Sequence, residues 1–326
     1  MKFLAESYNT PKMKRNNIIL TLIFGLISVT TFSQSSLPFD EQYFLMDKVI
    51  VNPSFTGASD DIVFKASHRR QWDNVPDAPT TSLASIHANI VDRVGLGMYF
   101  MNDQNGNTKT NSFNISAGYH IPIGDKKDRQ QGQFSFGTSL SFAGLHFDGI
   151  TEDPNDPIYN DQENRVYIPY INFGASVNYQ GWMLGLSVLD IPLSYNSPIV
   201  NQYEPSPKFY YGMLGKNFNL TEQIELEPMV AYRSNFDEDS RLDANLRAKA
   251  KFNENAVWLG ANYRMDFFNG ENQSLSVSPA LGAEIGRFNL AFSYNIGLGE
   301  FKNEGNNGFT AVLGYNIENF FNPNFK

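Results

Sequence analysis

The sequence predicts an all-β fold, a single transmembrane antiparallel β-barrel of about 14 strands with an N-terminal plug or cap segment. Three observations predict it. From residue 62 onward, apolar side chains recur at every second position, the period of a strand with one oily and one wet face. Several of these stretches run to about ten residues or more, enough to cross a bilayer when tilted, whereas soluble strands usually stop at about five or six. The chain also opens with the layout of an export leader, and no later stretch qualifies as a membrane helix.

The leader comes first. Ile18 to Val29 is an apolar run of about twelve residues, preceded by Lys12, Lys14 and Arg15 and followed by Thr31-Phe32-Ser33. Small residues at −3 and −1 place the cut after Ser33, so 1–33 reads as a signal peptide and Gln34 as the first mature residue. The run is too short for a bilayer, which needs about 20 helical residues. Met1 and Met13 are both open as the start.

Residues 34–61 fit no membrane strand. Tyr43, Phe44, Leu45, Met46, Val49, Ile50 and Val51 lead without alternation into Asn52-Pro53, which cannot continue a helix comfortably. This segment reads as a lumen plug or periplasmic cap, with a loose terminal arm as the alternative.

The barrel occupies 62–317 and leaves 318–326 as a tail. Strands are predicted near 62–71, 80–90, 93–101, 111–123, 132–145, 167–179, 182–189, 208–218, 223–234, 240–252, 256–266, 274–285, 287–297 and 308–317. In the stretch around 288–296, Phe288, Leu290, Phe292, Tyr294 and Ile296 alternate with Asn289, Ala291, Ser293 and Asn295. Short connections at Val91-Asp92, Gln180-Gly181, 219–222, 253–255 and Gly286 alternate with longer ones at 102–110, 146–166, 190–207, 267–273 and 298–307. Tight turns on one side and longer loops on the other are the rhythm of an outer-membrane barrel. The turn at 124–131 is a modest exception.

The charges on the predicted inward face are Asp243, Arg247, Lys249 and Lys251 on one strand and Glu225, Glu227 and Arg233 on another. A soluble sandwich can carry charge outward as well, but one of this size needs crossovers of variable length instead of regular hairpins. Tyr119, Tyr179, Trp182, Phe218 and Tyr263 fall near strand ends, where interface girdles sit. A wet lumen should tolerate a new charge at Ser139 or Ser293 better than the lipid face does at Phe136 or Leu290.

Composition excludes several chemistries. The chain of 326 residues has no Cys, which removes disulfides, thiolate zinc sites and cysteine nucleophiles. Its formal charge of −9 disfavours a nucleic-acid partner. His68, His87, His120 and His146 show no metal-ligand spacing, and the first three, which sit in predicted strands, read as wall or lumen polar residues. Ser85 and His87 share a face, but spacing alone makes no nucleophile. Loop 146–166 carries Asp148, Glu152, Asp153, Asp156, Asp161 and Glu163 without the order of a calcium loop, and reads as a solvated acidic loop. Gly-rich stretches such as Val94 to Gly97 read as tight packing. No catalytic, cofactor-binding or metal-binding residue is assigned.

Several motifs then make the chain resemble the PorP/SprF family of type IX secretion system outer-membrane proteins. They are QYFLMDKVIVNPSFTG (42–57), HRRQWDNVPDAPTTSLASIHANI (68–90), VGLGMYFMND (94–103), LSFAG (140–144), DPNDPIYN (153–160), PYINFGASVNY (169–179) and VWLGANYR (257–264), in the family's order. The first two are the most specific; VWLGANYR would fit many barrels. The resemblance implies a non-enzymatic protein of the cell outer membrane that serves type IX secretion or gliding motility. Its implied partners are the outer-membrane bilayer, periplasmic components of the machinery, and a secreted cargo or large cell-surface adhesin that it helps to export or hold. The alternative reading is a transport barrel for hydrophobic compounds. The family has no catalytic set to carry over.

Overall fold

In the computed structural model, which describes residues 47–72, 76–124, 132–147, 165–193, 208–236, 239–268, 271–298 and 307–321, the alternation closes into an antiparallel β-barrel of fourteen strands. The strands are β1 (Ile62–Gln71), β2 (Thr80–Val91), β3 (Val94–Asn105), β4 (Thr108–Pro122), β5 (Gly132–Phe147), β6 (Arg165–Tyr179) and β7 (Trp182–Pro192). They continue with β8 (Phe209–Lys216, resumed after Asn217 as Phe218–Asn219), β9 (Ile224–Ser234), β10 (Asp239–Phe252), β11 (Asn255–Phe268), β12 (Glu271–Ile285), β13 (Phe288–Gly297) and β14 (Gly308–Ile317). Each strand pairs with its sequence neighbours, and β14 pairs with β1 along Ile62↔Ile317 to Gln71↔Gly308, so no edge is left open. The predicted leader, 1–33, and residues 34–46 lie outside the described residues.

Register partners share a face, and the faces differ in chemistry. Phe100, Phe113 and Phe142 line up across β3–β5 on the outer surface, as do Leu290 and Leu313 on β13 and β14. The inner row between them holds Asn114 and Ser141, with Ser139 and Ser116 one step along. Large apolar side chains left at around half exposure over the whole outer wall are what a lipid-facing surface requires.

One rim is closed by tight turns. Gln180 and Gly181, with φ of 48° and 77°, form the two-residue turn between β6 and β7, and both conformations match the twist of a type I′ hairpin. Asn253 and Gly286 take positive φ in the turns after β10 and β12. The turn expected at Val91-Asp92 falls one residue later, at Asp92-Arg93, where Arg93 has the positive φ.

The opposite rim corrects two expectations. Segments 102–110 and 267–273 are not loops: β3 and β4 leave only residues 106–107 between them, and β11 and β12 only 269–270. The polar run Asn102 to Thr110 breaks the apolar alternation yet keeps its ladder, because backbone pairing needs no oily face once the hairpin passes beyond the hydrocarbon. Asn102 Nδ2 donates to Asn111 Oδ1 across that hairpin at 2.8 Å. The centres of the other long connections, 148–164, 194–207 and 299–306, lie outside the described residues. All the girdle aromatics named from the sequence are substantially exposed.

Candidate functional site

The site is the inner face of the barrel, part of which is covered by residues 47–57 of the chain itself. Local chemistry shapes the segment that enters it. Asn52 caps a single 3-10 turn, Pro53–Phe55: its Oδ1 accepts from Ser54 N at 3.0 Å, and Pro53 stands at the first position, where a missing N–H costs nothing. Asp47 caps a preceding turn, Lys48–Ile50, in the same manner. These turns fold Asp47 to Gly57 into a compact bundle with Val51, Asn52, Ser54 and Thr56 wholly buried.

The bed for this bundle is a row of glycines. Gly95, Gly118, Gly137 and Gly174 are direct register partners across β3, β4, β5 and β6, all facing inward. A Cβ on Gly95 would lie 2.1 Å from Thr56 O, on Gly118 2.5 Å from the same oxygen, and on Gly137 2.3 Å from Pro53 O. On Gly174 it would lie 2.0 Å from Asn52 Oδ1. The segment's backbone therefore lies directly against β3, β4 and β5, and its Asn52 side chain directly against β6, at a range that any side chain on those glycines would forbid.

Among the described residues, seven hydrogen bonds between nitrogen and oxygen partners fasten it there, beside a weaker one from Lys48 Nζ to Met183 Sδ at 3.3 Å. Asn52 Nδ2 donates to Ala175 O and Leu186 O, both at 3.2 Å. Ser54 Oγ donates to Ser176 Oγ at 2.8 Å, Ser187 Oγ to Val51 O at 2.5 Å, and Gly57 N to His87 Nδ1 at 3.1 Å. His120 Nε2 meets Thr56 O at 2.8 Å, and Ser85 Oγ donates to Asp47 Oδ2 at 2.7 Å. Val49, Ile50, Val51 and Phe55 complete the anchorage by packing into the lumen's apolar sector, among them Leu83, Met101, Leu189 and Met213.

These contacts settle the roles of the histidines. His87 and His120 hold the segment, and His68 faces outward with Nδ1 2.9 Å from Ser82 Oγ. Ser85 gives its proton to Asp47 and not to His87, and it is buried within the wall, so the pair has no nucleophile geometry. Burial alone would push the Asp47 carboxyl up, but the His87 ring 3.4 Å away, Lys65 and the Ser85 hydroxyl outweigh it and hold the carboxyl below its usual range.

The other half of the lumen is ionic. Asp243 accepts two bonds from Arg264, at 2.8 and 3.1 Å, with both side chains almost wholly buried. Arg247 pairs with Glu227, Lys251 with Glu225, and Lys249 with Glu284 at 2.6 Å, reaching across β11. Six of the seven inward charges read from the sequence thus find an opposite charge between β9, β10, β11 and β12, while the seventh, Arg233, lies over the Phe209 ring, 4.5 Å from its centroid. Further along β4, β5 and β6 from the glycine row, Asn114 and Asn172 both donate to Ser139 and Ser141. A cavity of about 230 Å³ at the tight-turn rim, lined by Lys48, Trp182, Lys216 and Glu227 among others, falls below the roughly 300–1,000 Å³ of small-molecule sites. Among the described residues, no three His, Asp or Glu side chains group as metal ligands would. The sequence reading assigned no site residue; the in-register glycines were the available signal.

A family model described as type IX secretion system membrane protein PorP/SprF matches residues 32–315. No curated protein matches the chain. Among solved structures, the Pseudomonas putida toluene transporter TodX aligns over 88% of this chain and 95% of its own, at 11% identity and a TM-score of 0.51. A deltaS2S3 mutant described as a monoaromatic hydrocarbon channel aligns over 83% and 94%, at 12% identity and a TM-score of 0.53. At these identities the likeness is one of fold.

Proposed function

The chain belongs to the PorP/SprF family of type IX secretion system membrane proteins and is an outer-membrane β-barrel, and on that footing we propose that it acts by contact, as a non-enzymatic component that supports export or surface attachment of a large cell-surface adhesin. The observation that carries the reading is the packing of residues 47–57 against the inner wall. A wall whose glycine row on β3 to β6, with Ser85, Ser176, Ser187, His87 and His120, is committed to residues 47–57, and whose inward charges on β9 to β12 are mostly paired with one another, is equipped to hold its own plug more than to pass a solute. Segment 34–61 is that plug in this proposal. The rim with both chain ends faces the periplasm and its secretion components, and the long loops face the exported partner.

The second reading is uptake of a hydrophobic compound, favoured by the likeness in fold to barrels described as toluene and hydrocarbon channels. Deleting the gene separates the two. The contact role predicts loss of one large protein from the surface proteome, with gliding or adhesion defects following from it. Uptake predicts an unchanged surface and slower growth on a poorly soluble carbon source. An unchanged surface proteome would refute the secretion role.

A further inference from the structure

The outer wall carries a band of residues that neither the lumen nor the apolar belt uses. Following register outward from Arg70, one row runs through Thr80, Gln104, Lys109 and His146 across β1 to β5. The row below it holds His68, Ser82, Asn102, Asn111 and Gly144. Two cross-strand hydrogen bonds brace that second row, His68 to Ser82 at 2.9 Å and Asn102 to Asn111 at 2.8 Å. The next row down is Ala66, Ala84, Phe100, Phe113 and Phe142, the top of the apolar belt. The band therefore sits where the hydrocarbon ends, at the rim of the long connections.

Its charge is one-sided. No carboxylate occupies an outward position on β1 to β5, in a chain of net charge −9. Elsewhere at this rim, β9 to β14 place Tyr232, Leu242, Met265, Phe267, Tyr294 and Phe309 outward, with no cation among them. Arg70 Nε is buried with no hydrogen-bond partner among the described residues. A guanidinium, an ammonium and amide donors in a row are the recognition chemistry of phosphate oxygens. Arg70 and Lys109 stand three strand spacings apart, about 14 Å, which suits two phosphates of one headgroup.

We propose that this band binds a phosphorylated glycolipid headgroup of the outer leaflet, with the acyl chains lying on Phe100, Phe113 and Phe142. A free anion would gain nothing from those phenylalanines; a lipid gains from both. The proposal rests on the long connections facing outward, which cysteine labelling tests separately.

The probes are bisphosphorylated lipid A, its dephosphorylated form and phosphatidylethanolamine, each added to the full mature protein in mild detergent and read by native mass spectrometry. Bisphosphorylated lipid A should be retained at least about tenfold better than the other two. The double change R70Q/K109Q should reduce retention by about tenfold or more, at roughly a factor of five per cation, with the heat-modifiable gel mobility of the folded barrel unchanged. Lys208→Gln, an exposed cation ahead of β8, should have no effect. If the double variant fails to fold, Arg70→Gln compared with Arg70→Lys reads the same site. Equal retention of the dephosphorylated lipid, or of lipid A by the variant, overturns the proposal. Loss of a co-purifying protein from the variant with lipid A retention intact overturns it in favour of a protein contact.

Discussion

Gly137→Ala should release residues 47–57 from the lumen while leaving the barrel intact. The new Cβ would lie 2.3 Å from Pro53 O, 2.5 Å from Pro53 C and 2.7 Å from Ser54 N, all backbone atoms with no rotamer to retreat into. Relief requires the turn to lift by about 1 Å, since non-bonded carbon and oxygen atoms settle above about 3 Å. That movement disrupts the two Asn52 bonds and the Ser54–Ser176 bond, at about 0.5–1.5 kcal/mol each, or roughly 2–4 kcal/mol together. The docked state has little to spare. Burying four apolar side chains contributes about 6–12 kcal/mol and seven hydrogen bonds about 7, against about 11–22 for ordering the backbone of this short segment. A loss of 2–4 kcal/mol therefore raises the undocked-to-docked ratio by about 30- to 1,000-fold, enough to make the undocked form dominant from a marginal start. Trypsin cleavage after Lys48, read as a product beginning at Val49, follows that population when redocking is fast. An unchanged cleavage rate in a barrel of normal heat-modifiable mobility would refute the reasoning.

Other outcomes follow from the same geometry. Asp243→Asn should cost about 3–5 kcal/mol in a urea or thermal titration of the folded barrel, because it strands the buried Arg264 charge, and the paired change Asp243→Leu with Arg264→Met, which removes both charges together, should cost less. Phe136→Arg and Leu290→Arg, on the lipid face, should impair assembly by about 2–4 kcal/mol near the midplane. Ser139→Arg, expected from sequence to be mild, should be comparably damaging, since Ser139 is buried between Asn114 and Asn172 with no room for a long side chain; normal assembly would show the lumen to be looser than this packing. Because the Asp47 carboxyl is held below its usual range, its share of docking is fully present above the unfolded value of 3.8 and is lost only as pH falls through the lowered native value, so protection of Lys48 should persist at about pH 5. Introduced Cys at Asn105, Asn155 and Asn306 should label on intact cells and Cys at Asn219 and Asn253 should not; the reverse would invert the topology.

The wall was legible in the sequence because a barrel strand declares itself locally. Each inward or outward choice is made by one residue's own polarity, so Phe288 to Ile296 reads as a strand without knowledge of its neighbours. Legibility failed where polarity stopped changing. Asn102 to Thr110 is polar throughout, and nothing in its alternation separates a loop from a hairpin that extends past the hydrocarbon.

The lumen was harder to read for a different reason, which is that its order is relational. Asn52-Pro53-Ser54 has no periodicity, and its partners lie more than 120 residues away on β6 and β7. Gly95, Gly118, Gly137 and Gly174 each look like ordinary packing glycines, and only their register makes them a single track. Inward parity was nevertheless available for every one of them. A glycine at the same inward level of four successive strands removes side chains from a stripe of wall, and a closed, lipid-bound barrel has no reason to leave such a stripe empty. The track therefore implies a backbone lying on it, and the nearest unassigned backbone in the sequence was the capped segment just ahead of β1.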